Sequence, residues 1–426
     1  MSESGLNPED VRGYELIAGG ASWPPVPERV VAREDMPPRP DLPKIKVLHV
    51  ITRFWAGAGG NTMLSAIGMD QEVYEVWLAG VPGGDLWDRT AAAGVRTVQI
   101  PGFRETLHPS DLLVLMKLRK LMKQERFHIV HTHSAKGGFL GRFAAWTTHT
   151  PVIIHTFHGF SFHDHMSSLK RGLYLFLERS VRPMTDAFLA VAPRVAAEAV
   201  QTRLARPGTV EVAPSAVELD SVPTTGDRTR LAEFGISPDQ VVVGTCGRID
   251  AQKAPLDFVR MAAVVAKQKP DTAFLMIGDG ELADEVRALA DELGVKISIT
   301  GYISGAPELA ATLDVFVITS IYEGLGRALT EAAAAARPLV ATAVNGIPDL
   351  IEPGVTGLLA NATDPEGIAS SVLWMLDHPE ESKAMGRNAR KRVMGWFAPE
   401  TMCAVIDRTY RKQLGLPVPT TSKPRQ

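Results

Sequence analysis

The sequence predicts an α/β protein built from two doubly wound halves. Three observations carry the prediction. Short apolar, β-branched runs alternate with helix-period segments along most of the chain, the pattern of a parallel sheet with helices on both faces. A polar stretch, Pro223-Thr224-Thr225-Gly226-Asp227, interrupts the alternation near its middle. Glycine turns follow several predicted strands, at the strand ends where such sheets bind ligands.

The chain has 426 residues, enough for two or three domains. Its 45% hydrophobic and 22% charged residues describe a globular protein, and a net charge of −3 gives no global nucleic-acid signal. Two cysteines, Cys246 and Cys403, form neither a disulfide framework nor a zinc spacing, which suits a reducing compartment. The start, MSESGLNPEDVRG, lacks a basic region followed by an apolar one, and no run approaches the roughly 18 apolar residues of a membrane span. The expected localisation is cytoplasmic.

Residues 1–43 read as a proline-rich tail, with prolines at 8, 24, 25, 27, 37, 38, 40 and 43 and no apolar period, although Tyr14 or Trp23 could pack on the body. Residues 44–222 form the first predicted domain. Ile45–Ile51 is a buried strand by its β-branched run, and it feeds a loop, Thr52–Asn61, holding Gly57, Gly59 and Gly60 before a helix from Thr62. Further strands are expected at 75–79, 97–100, 128–133, 152–157, 187–192 and 210–212, with helices at 85–93, 110–125, 138–147, 168–182 and 194–205 between them. Ser110 is a suitable N-cap for the second of these helices, and Leu112, Leu115, Met116 and Met122 mark its apolar face. Lys117, Arg119, Lys120, Lys123 and Arg126 make the rest of it basic.

Residues 223–399 form the second domain, entered through the polar stretch, a candidate hinge. Its strands are expected at 241–246, 273–277, 297–300, 315–319 and 339–343, and its helices at 255–267, 282–293, 307–313, 328–336 and 364–376. The segment 380–413 reads as helical; its last part, 400–416, runs past the strand pattern and can cross back to the first domain. Residues 417–426 are a second tail.

The stretch with most chemistry is Glu323-Gly324-Leu325-Gly326-Arg327-Ala328-Leu329-Thr330-Glu331. It reads as strand, glycine turn, helix, with backbone N–H groups from Gly324 to Arg327 unpaired at the helix start. Such groups, together with the helix dipole, bind an anion such as phosphate, and glycine lets the backbone approach it. Residues eight apart in a helix are separated by about 12 Å, more than the ~5–9 Å between two carboxylates working on one glycosidic bond. The two glutamates are therefore read as holding two parts of one long ligand, and hydroxyl-rich groups are natural partners for them. A surface loop with two solvated acids fits the same residues. Arg248 and Lys253 lie on the loop after 241–246: either solvated cations, or a clamp on a diphosphate made of a fixed fork and a point charge.

Taken in order, Gly247-Arg248-Ile249-Asp250 with Lys253, then Gly278-Asp279-Gly280-Glu281-Leu282, then Glu323–Glu331 resemble the GT4-type retaining glycosyltransferases of GT-B fold, over nearly all of 44–414. The resemblance implies two facing domains with an interdomain cleft. It implies that Arg248 and Lys253 stabilise a leaving nucleotide diphosphate, that Glu323 contacts sugar hydroxyls, and that Glu331 holds ribose. The turn amides at Gly324, Leu325 and Gly326 would approach sugar and phosphate, and Tyr302 and Ile303 would edge the nucleobase. His131–Gly138 and His155–Phe162 resemble members that build bacterial surface polysaccharides, often on polyprenyl-diphosphate-linked acceptors. That implies His158 beside the reacting sugar and Gly59 and Gly60 by the diphosphate. The implied donor is a nucleotide-sugar co-substrate, UDP-linked in preference, with no metal and no other cofactor. The implied acceptor is a lipid-linked saccharide. The basic helix at 110–126 reads either as packed on the sheet with a solvated outer face or as a surface lying on anionic lipid, which would attach the protein peripherally to the inner face of the cell membrane.

His131 and His133 share a strand face, but the sequence offers no third metal ligand beside them. Cys246, inside an apolar strand, is read as a core residue and not a nucleophile. Two positions depart from the family pattern: Ser215-Ala216-Val217 stands where many relatives have Asn-Gly-Val, and Asn61 where a small residue is usual. Two other activities fit the same architecture: a sugar-nucleotide 2-epimerase and a catalytically silent nucleotide-sugar binder. Retention of Arg248, Lys253, Glu323 and Glu331 argues against the second.

Overall fold

The computed structural model describes residues 43–418 except 55, 105, 107, 161 and 163–165, so the two expected tails lie almost wholly outside the described residues. Two compact units result: one of residues 217–396, the other of the preceding residues through Ala216 together with Phe397 onward.

In the unit that comes first, β1 (Ile45–Phe54) is nearly all buried and lies between β2 (Tyr74–Pro82) and β4 (Ile129–His133). With β3 (Arg96–Gln99), β5 (Val152–Phe157), β6 (Ala187–Ala190) and β7 (Val210–Val212) it makes one parallel sheet in the order β3-β2-β1-β4-β5-β6-β7. The strand order reverses between β1 and β4, the switch point beside which open sheets bind ligands.

The first helix differs from expectation. α1 spans Ala56–Ile67, so the glycines read as a loop lie inside its opening turns. Gly59 is what permits this: a Cβ there would stand 3.0 Å from the backbone of Phe54. α2 (Leu86–Ala92) follows β2. α3 (Asp111–Glu125), α4 (Ala135–Thr147) and α5 (Ser168–Val181) follow β3, β4 and β5, and α6 (Pro193–Gln201) follows β6. α3 buries Val114, Leu118 and Met122, a strict four-residue stripe, and packs them with Leu48, Val50 and Val130 of the sheet. Leu112 and Met116, expected on the apolar face, are instead exposed, because they lie off that stripe. Ser110 makes no side-chain cap; its hydroxyl donates to the Gly102 carbonyl at 3.0 Å.

The unit 217–396 repeats the plan. β8 (Val242–Cys246), β9 (Ala273–Ile277), β10 (Ile297–Ile299), β11 (Val315–Ile318), β12 (Leu339–Thr342) and β13 (Leu358–Ala360) form a parallel sheet in the order β10-β9-β8-β11-β12-β13. The helices between them are α7 (Pro255–Gln268), α8 (Ala283–Leu293), α9 (Ala306–Ala310), α10 (Arg327–Ala334) and the short α11 (Ile347–Leu350); α12 (Pro365–Asp377) comes after β13. Here the switch point lies between β8 and β11. The stretch read as a hinge is pinned to this unit. Arg337 donates to the Thr224 carbonyl at 2.8 Å, Arg228 pairs with Asp314 at 3.3 Å, and a Cβ on Gly226 would meet Thr312 at 2.5 Å.

The helical end is two helices, α13 (Pro379–Trp396) and α14 (Pro399–Gln413). Pro399 disfavours helical backbone at the residue before it, and Ala398 is extended. α14 crosses back and packs against the first sheet and α1. Met402, Val405, Ile406 and Tyr410 join Val47, Ile51 and Met63 in one core, and Tyr74 donates to Asp407 at 2.7 Å.

Candidate active site

Arg248 and Lys253 follow β8, and Glu323 follows β11, so all three flank the switch point of the second sheet. The loop 247–254 is fixed from its own residues. Asp250 caps the 3-10 turn Ala251–Lys253, accepting from the Lys253 amide at 3.2 Å, and its other oxygen pairs with Arg248 at 2.7 Å. Gln252 ties the loop to the next one: its carbonyl accepts from the Ile321 amide at 2.9 Å, and its side chain donates to the Tyr322 carbonyl at 3.2 Å. Thr319 donates to the Lys253 carbonyl at 2.7 Å.

The Gly278-Asp279-Gly280 turn clamps that loop from the other side. A Cβ on Gly278 would lie 2.0 Å from the Gly247 carbonyl oxygen, and one on Gly280 would lie 2.3 Å from that of Ile249. Close approach lets the Ile249 amide donate to Asp279 at 2.9 Å and the Leu282 amide donate to Ile249 at 3.0 Å. Glycine here brings two backbones together, the use that only a missing side chain allows.

Lys253 makes a short ion pair with Glu323, both side chains mostly buried. The pair joins one of the clamp cations to the first of the two acids, which the sequence had assigned to separate parts of the ligand. The Glu323 amide donates to Asn345 Oδ1 at 2.9 Å. Gly326, at φ +85, turns the chain into α10, and no backbone hydrogen bond from Gly324, Leu325 or Gly326 is made among the described residues. Glu331 lies one turn into α10 and takes a 2.7 Å bond from Arg327. The turn therefore offers unpaired amides at a helix start, two cations and two carboxylates. Tyr302 is largely exposed and Ile303 half-buried on the loop after β10.

A small recess opens at the end of β8, lined by Cys246, Arg248, Lys253 and Thr319. Burial, then the Glu331 carboxylate, push the Cys246 thiol up to about 12, so it stays protonated and is no nucleophile. Sequence reading missed Asp250, Gln252, Arg327 and Asn345. Asp250 had a signal, an N-cap residue just before the turn, and so had Arg327, four residues before Glu331 on one helix face; Gln252 and Asn345 act through contacts 70 and 22 residues away.

In the other unit, His158 stands at the end of β5 and lines a small recess with Ser134, Phe157, Phe160, Phe162 and Glu178. Its Nε2 bonds His133 Nδ1 at 2.9 Å, and His133 Nε2 bonds His49 Nδ1 at 2.9 Å. The third imidazole that the sequence did not offer is thus His49, which lies opposite His131 in the parallel register. All six ring nitrogens of His49, His131 and His133 already have partners, since His131 bonds Tyr410 at 2.7 Å and Thr156 at 2.6 Å and His49 meets Tyr410 at 3.5 Å. A metal could enter only by displacing these bonds. Burial pushes His49 down to about 3 and His158 to about 4, and His131 and His133 well below their ordinary value, so the rings are neutral.

Gly59 and Gly60 are buried in α1, beyond the end of β1. The two departures from the family pattern prove to be one feature: Asn61 Oδ1 accepts from the Ala216 amide at 2.9 Å in the core. The larger residue at 61 supplies the acceptor that fixes the backbone at 216.

Comparison with known proteins agrees with this architecture. The glycosyl transferase 4-like domain model matches residues 56–216, and the glycosyl transferases group 1 model matches residues 227–392. The chain is 26% identical to the UDP-Gal:alpha-D-GlcNAc-diphosphoundecaprenol alpha-1,3-galactosyltransferase of Escherichia coli, over 83% of this chain and 93% of that one. It is also 26% identical to the D-inositol 3-phosphate glycosyltransferase of Segniliparus rotundus, over 88% and 90%. Among solved structures, Anabaena HepE in complex with UDP and glucose superposes with a TM-score of 0.75 at 17% identity, over 86% of this chain and all of that one.

Proposed function

The chain belongs to the group 1, 4-like glycosyltransferases of GT-B fold, and from that membership we propose that it transfers a hexosyl or N-acetylhexosaminyl group from a UDP-sugar to an acceptor hydroxyl with retention. The observation that carries the reading is the set at the second sheet's switch point: Arg248, Lys253, Glu323, Glu331 and the turn amides of Gly324, Leu325 and Gly326. The bond from the sugar's anomeric carbon to the diphosphate oxygen breaks. The acceptor oxygen bonds the same face, and its proton passes to the leaving phosphate. Arg248 and Lys253 offset the charge that develops there, usually the largest catalytic term. Glu323 positions sugar hydroxyls, Glu331 the ribose, and Tyr302 and Ile303 border the base. In the other unit, Gly59 and Gly60 border the diphosphate and His158 the transferred sugar. A UDP donor is supported by the UDP present in the HepE complex and by the UDP-Gal in the E. coli relative's name.

A thermal-shift screen of UDP, GDP and their sugars tests the donor. Ligand at ~100 times its dissociation constant stabilises by about 2.7 kcal/mol. Stabilisation by GDP and not UDP would overturn the donor. Consumption of a UDP-sugar without any acceptor would favour a 2-epimerase.

The proposed acceptor is a lipid-linked saccharide met at an anionic membrane face, as the diphosphoundecaprenol of the E. coli relative suggests. No helix among the described residues is long and apolar enough to cross a membrane. α3 instead carries exposed Leu112, Leu113 and Met116 beside exposed Lys117, Lys120 and Lys123, and α5 exposes Leu169, Leu173 and Phe176. Apolar side chains amid lysines are the composition of a helix lying on lipid, each basic residue contributing about 1 kcal/mol near the surface. Co-sedimentation with anionic vesicles should fall when Lys117, Lys120 and Lys123 become Glu. Wild-type protein left in the supernatant at low salt would sink the membrane reading.

A further inference from the structure

The histidines between β1, β4 and β5 form a file. Beginning at Thr156 Oγ1, hydrogen bonds run to His131 Nε2 (2.6 Å), from His131 Nδ1 to the Tyr410 hydroxyl (2.7 Å), from that hydroxyl to His49 Nε2 (3.5 Å), from His49 Nδ1 to His133 Nε2 (2.9 Å), and from His133 Nδ1 to His158 Nε2 (2.9 Å). A neutral imidazole has one N–H and one lone pair, so each ring that donates on one side must accept on the other. The direction chosen at one end therefore propagates to the other.

The Thr156 end decides the direction. Thr156 is buried, and among the described residues its hydroxyl has no hydrogen-bond partner except His131. If His131 donated to it, the hydroxyl hydrogen would be buried without an acceptor, a costly arrangement. If Thr156 donates, every group in the file is satisfied: His131 donates to Tyr410, Tyr410 to His49, His49 to His133, and His133 to His158. His158 must then accept at Nε2 and carry its hydrogen on Nδ1.

We propose that the Thr156 hydroxyl, acting through His131, Tyr410, His49 and His133, holds His158 in the Nδ1–H tautomer and so makes it a hydrogen-bond donor at the end of β5. Thr156, His131, Tyr410, His49 and His133 are positioning residues. Burial keeps the rings neutral and the Tyr410 hydroxyl protonated, as the file requires. The use of that donor toward a sugar hydroxyl rests on the transferase reading above; the tautomer itself does not.

The test is tautomer-resolved ¹H–¹⁵N spectroscopy of the full chain labelled with ¹⁵N-histidine, the His158 ring being assigned by its loss in His158→Gln. Wild type should show hydrogen on Nδ1 of His158, and hydrogen on Nε2 would overturn the proposal without any variant. Thr156→Val should shift His158 toward the other tautomer, while Thr156→Ser, which keeps the hydroxyl, should retain the wild-type pattern. Equal effects of the two substitutions would mean packing alone, and would also overturn it. Tyr410→Phe cuts the file at its longest link and should mix the tautomers of His133 and His158; an unchanged His158 in that folded variant counts against the file. The readout needs no donor or acceptor, so it stands or falls apart from the transferase activity.

Discussion

Gly280→Ala puts the clamp on the Arg248 loop to the test. The added methyl would sit 2.3 Å from the Ile249 carbonyl oxygen, 2.6 Å from its carbon and 2.7 Å from its nitrogen. Ordinary contact begins at 3.4 Å, so one backbone must move by about 1 Å. All three atoms are backbone, and no rotamer change can relieve the crowding. Forced overpacking of this kind costs about 1–3 kcal/mol, and at about 2–4 °C per kcal/mol for a domain of this size the melting temperature should fall by a few degrees or more. The loop that moves carries Arg248 and Lys253, and a 1 Å misplacement of positioned groups costs about 100-fold in rate. Transfer should therefore fall by about two orders of magnitude in protein that is still folded at assay temperature. Gly172→Ala is the control: nothing lies within 4 Å of a Cβ there, on an exposed turn of α5. That change should leave stability unchanged or raise it by about 0.5–1 kcal/mol. A Gly280→Ala protein with wild-type melting and wild-type turnover would refute the reasoning.

Further outcomes follow from the same geometry. Lys253→Ala should lower turnover by at least about 100-fold while shifting the unfolding midpoint far less, and turnover of the wild type should survive EDTA; activity lost to EDTA and restored by magnesium or manganese would contradict this. Glu331→Ala should chiefly weaken UDP binding and Glu323→Ala chiefly slow transfer, to be read by calorimetry and steady-state rates; equal loss of UDP affinity in both would end that division of roles. Stability should decline with acid well before the carboxylates titrate. His49 falls from its ordinary 6.5 to about 3 on folding, so the unfolded chain takes the proton first. Its contribution is complete above about pH 6.5 and is lost between there and about 3, at up to about 1.4 kcal/mol per pH unit. Urea unfolding at pH 7.5 and 5.5 should reveal the slope, which His49→Gln should reduce; equal midpoints at the two pH values would deny it.

Sequence periodicity located nearly every strand and helix because buried parallel strands are continuous apolar runs and need no long-range information. What it missed has local causes. β13, Leu-Leu-Ala, has no β-branched residue, unlike the equally short β7 and β10. α1 begins six residues before Thr62 because Gly59 serves close packing on Phe54 and not a turn. On α3 the apolar residues make two sets, and only contact with the sheet selects Val114, Leu118 and Met122 over Leu112 and Met116. The cations and acids of the candidate site were legible as residue types at strand ends. Their pairing was not, since Lys253 and Glu323 are 70 residues apart and Tyr410 is 279 from His131.

The return of α14 has a consequence for the order of manufacture. The unit 217–396 is one uninterrupted stretch, whereas its companion is written in two instalments, before 217 and after 396. A ribosome adding about 5–20 residues per second needs roughly ten to forty seconds to make the residues 217–396 that intervene. During that interval the faces of α1 and the first sheet that will receive Met402, Ile406 and Tyr410 are bare, and His49 and His131 lack the hydroxyl between them. The earliest-made sheet is thus finished last. A chain stopped between Glu331 and Tyr410 carries both glycine turns and all four charged site residues, yet lacks the hydroxyl that links His131 to His49, so an incomplete product holds the second unit's charged set beside a broken histidine file.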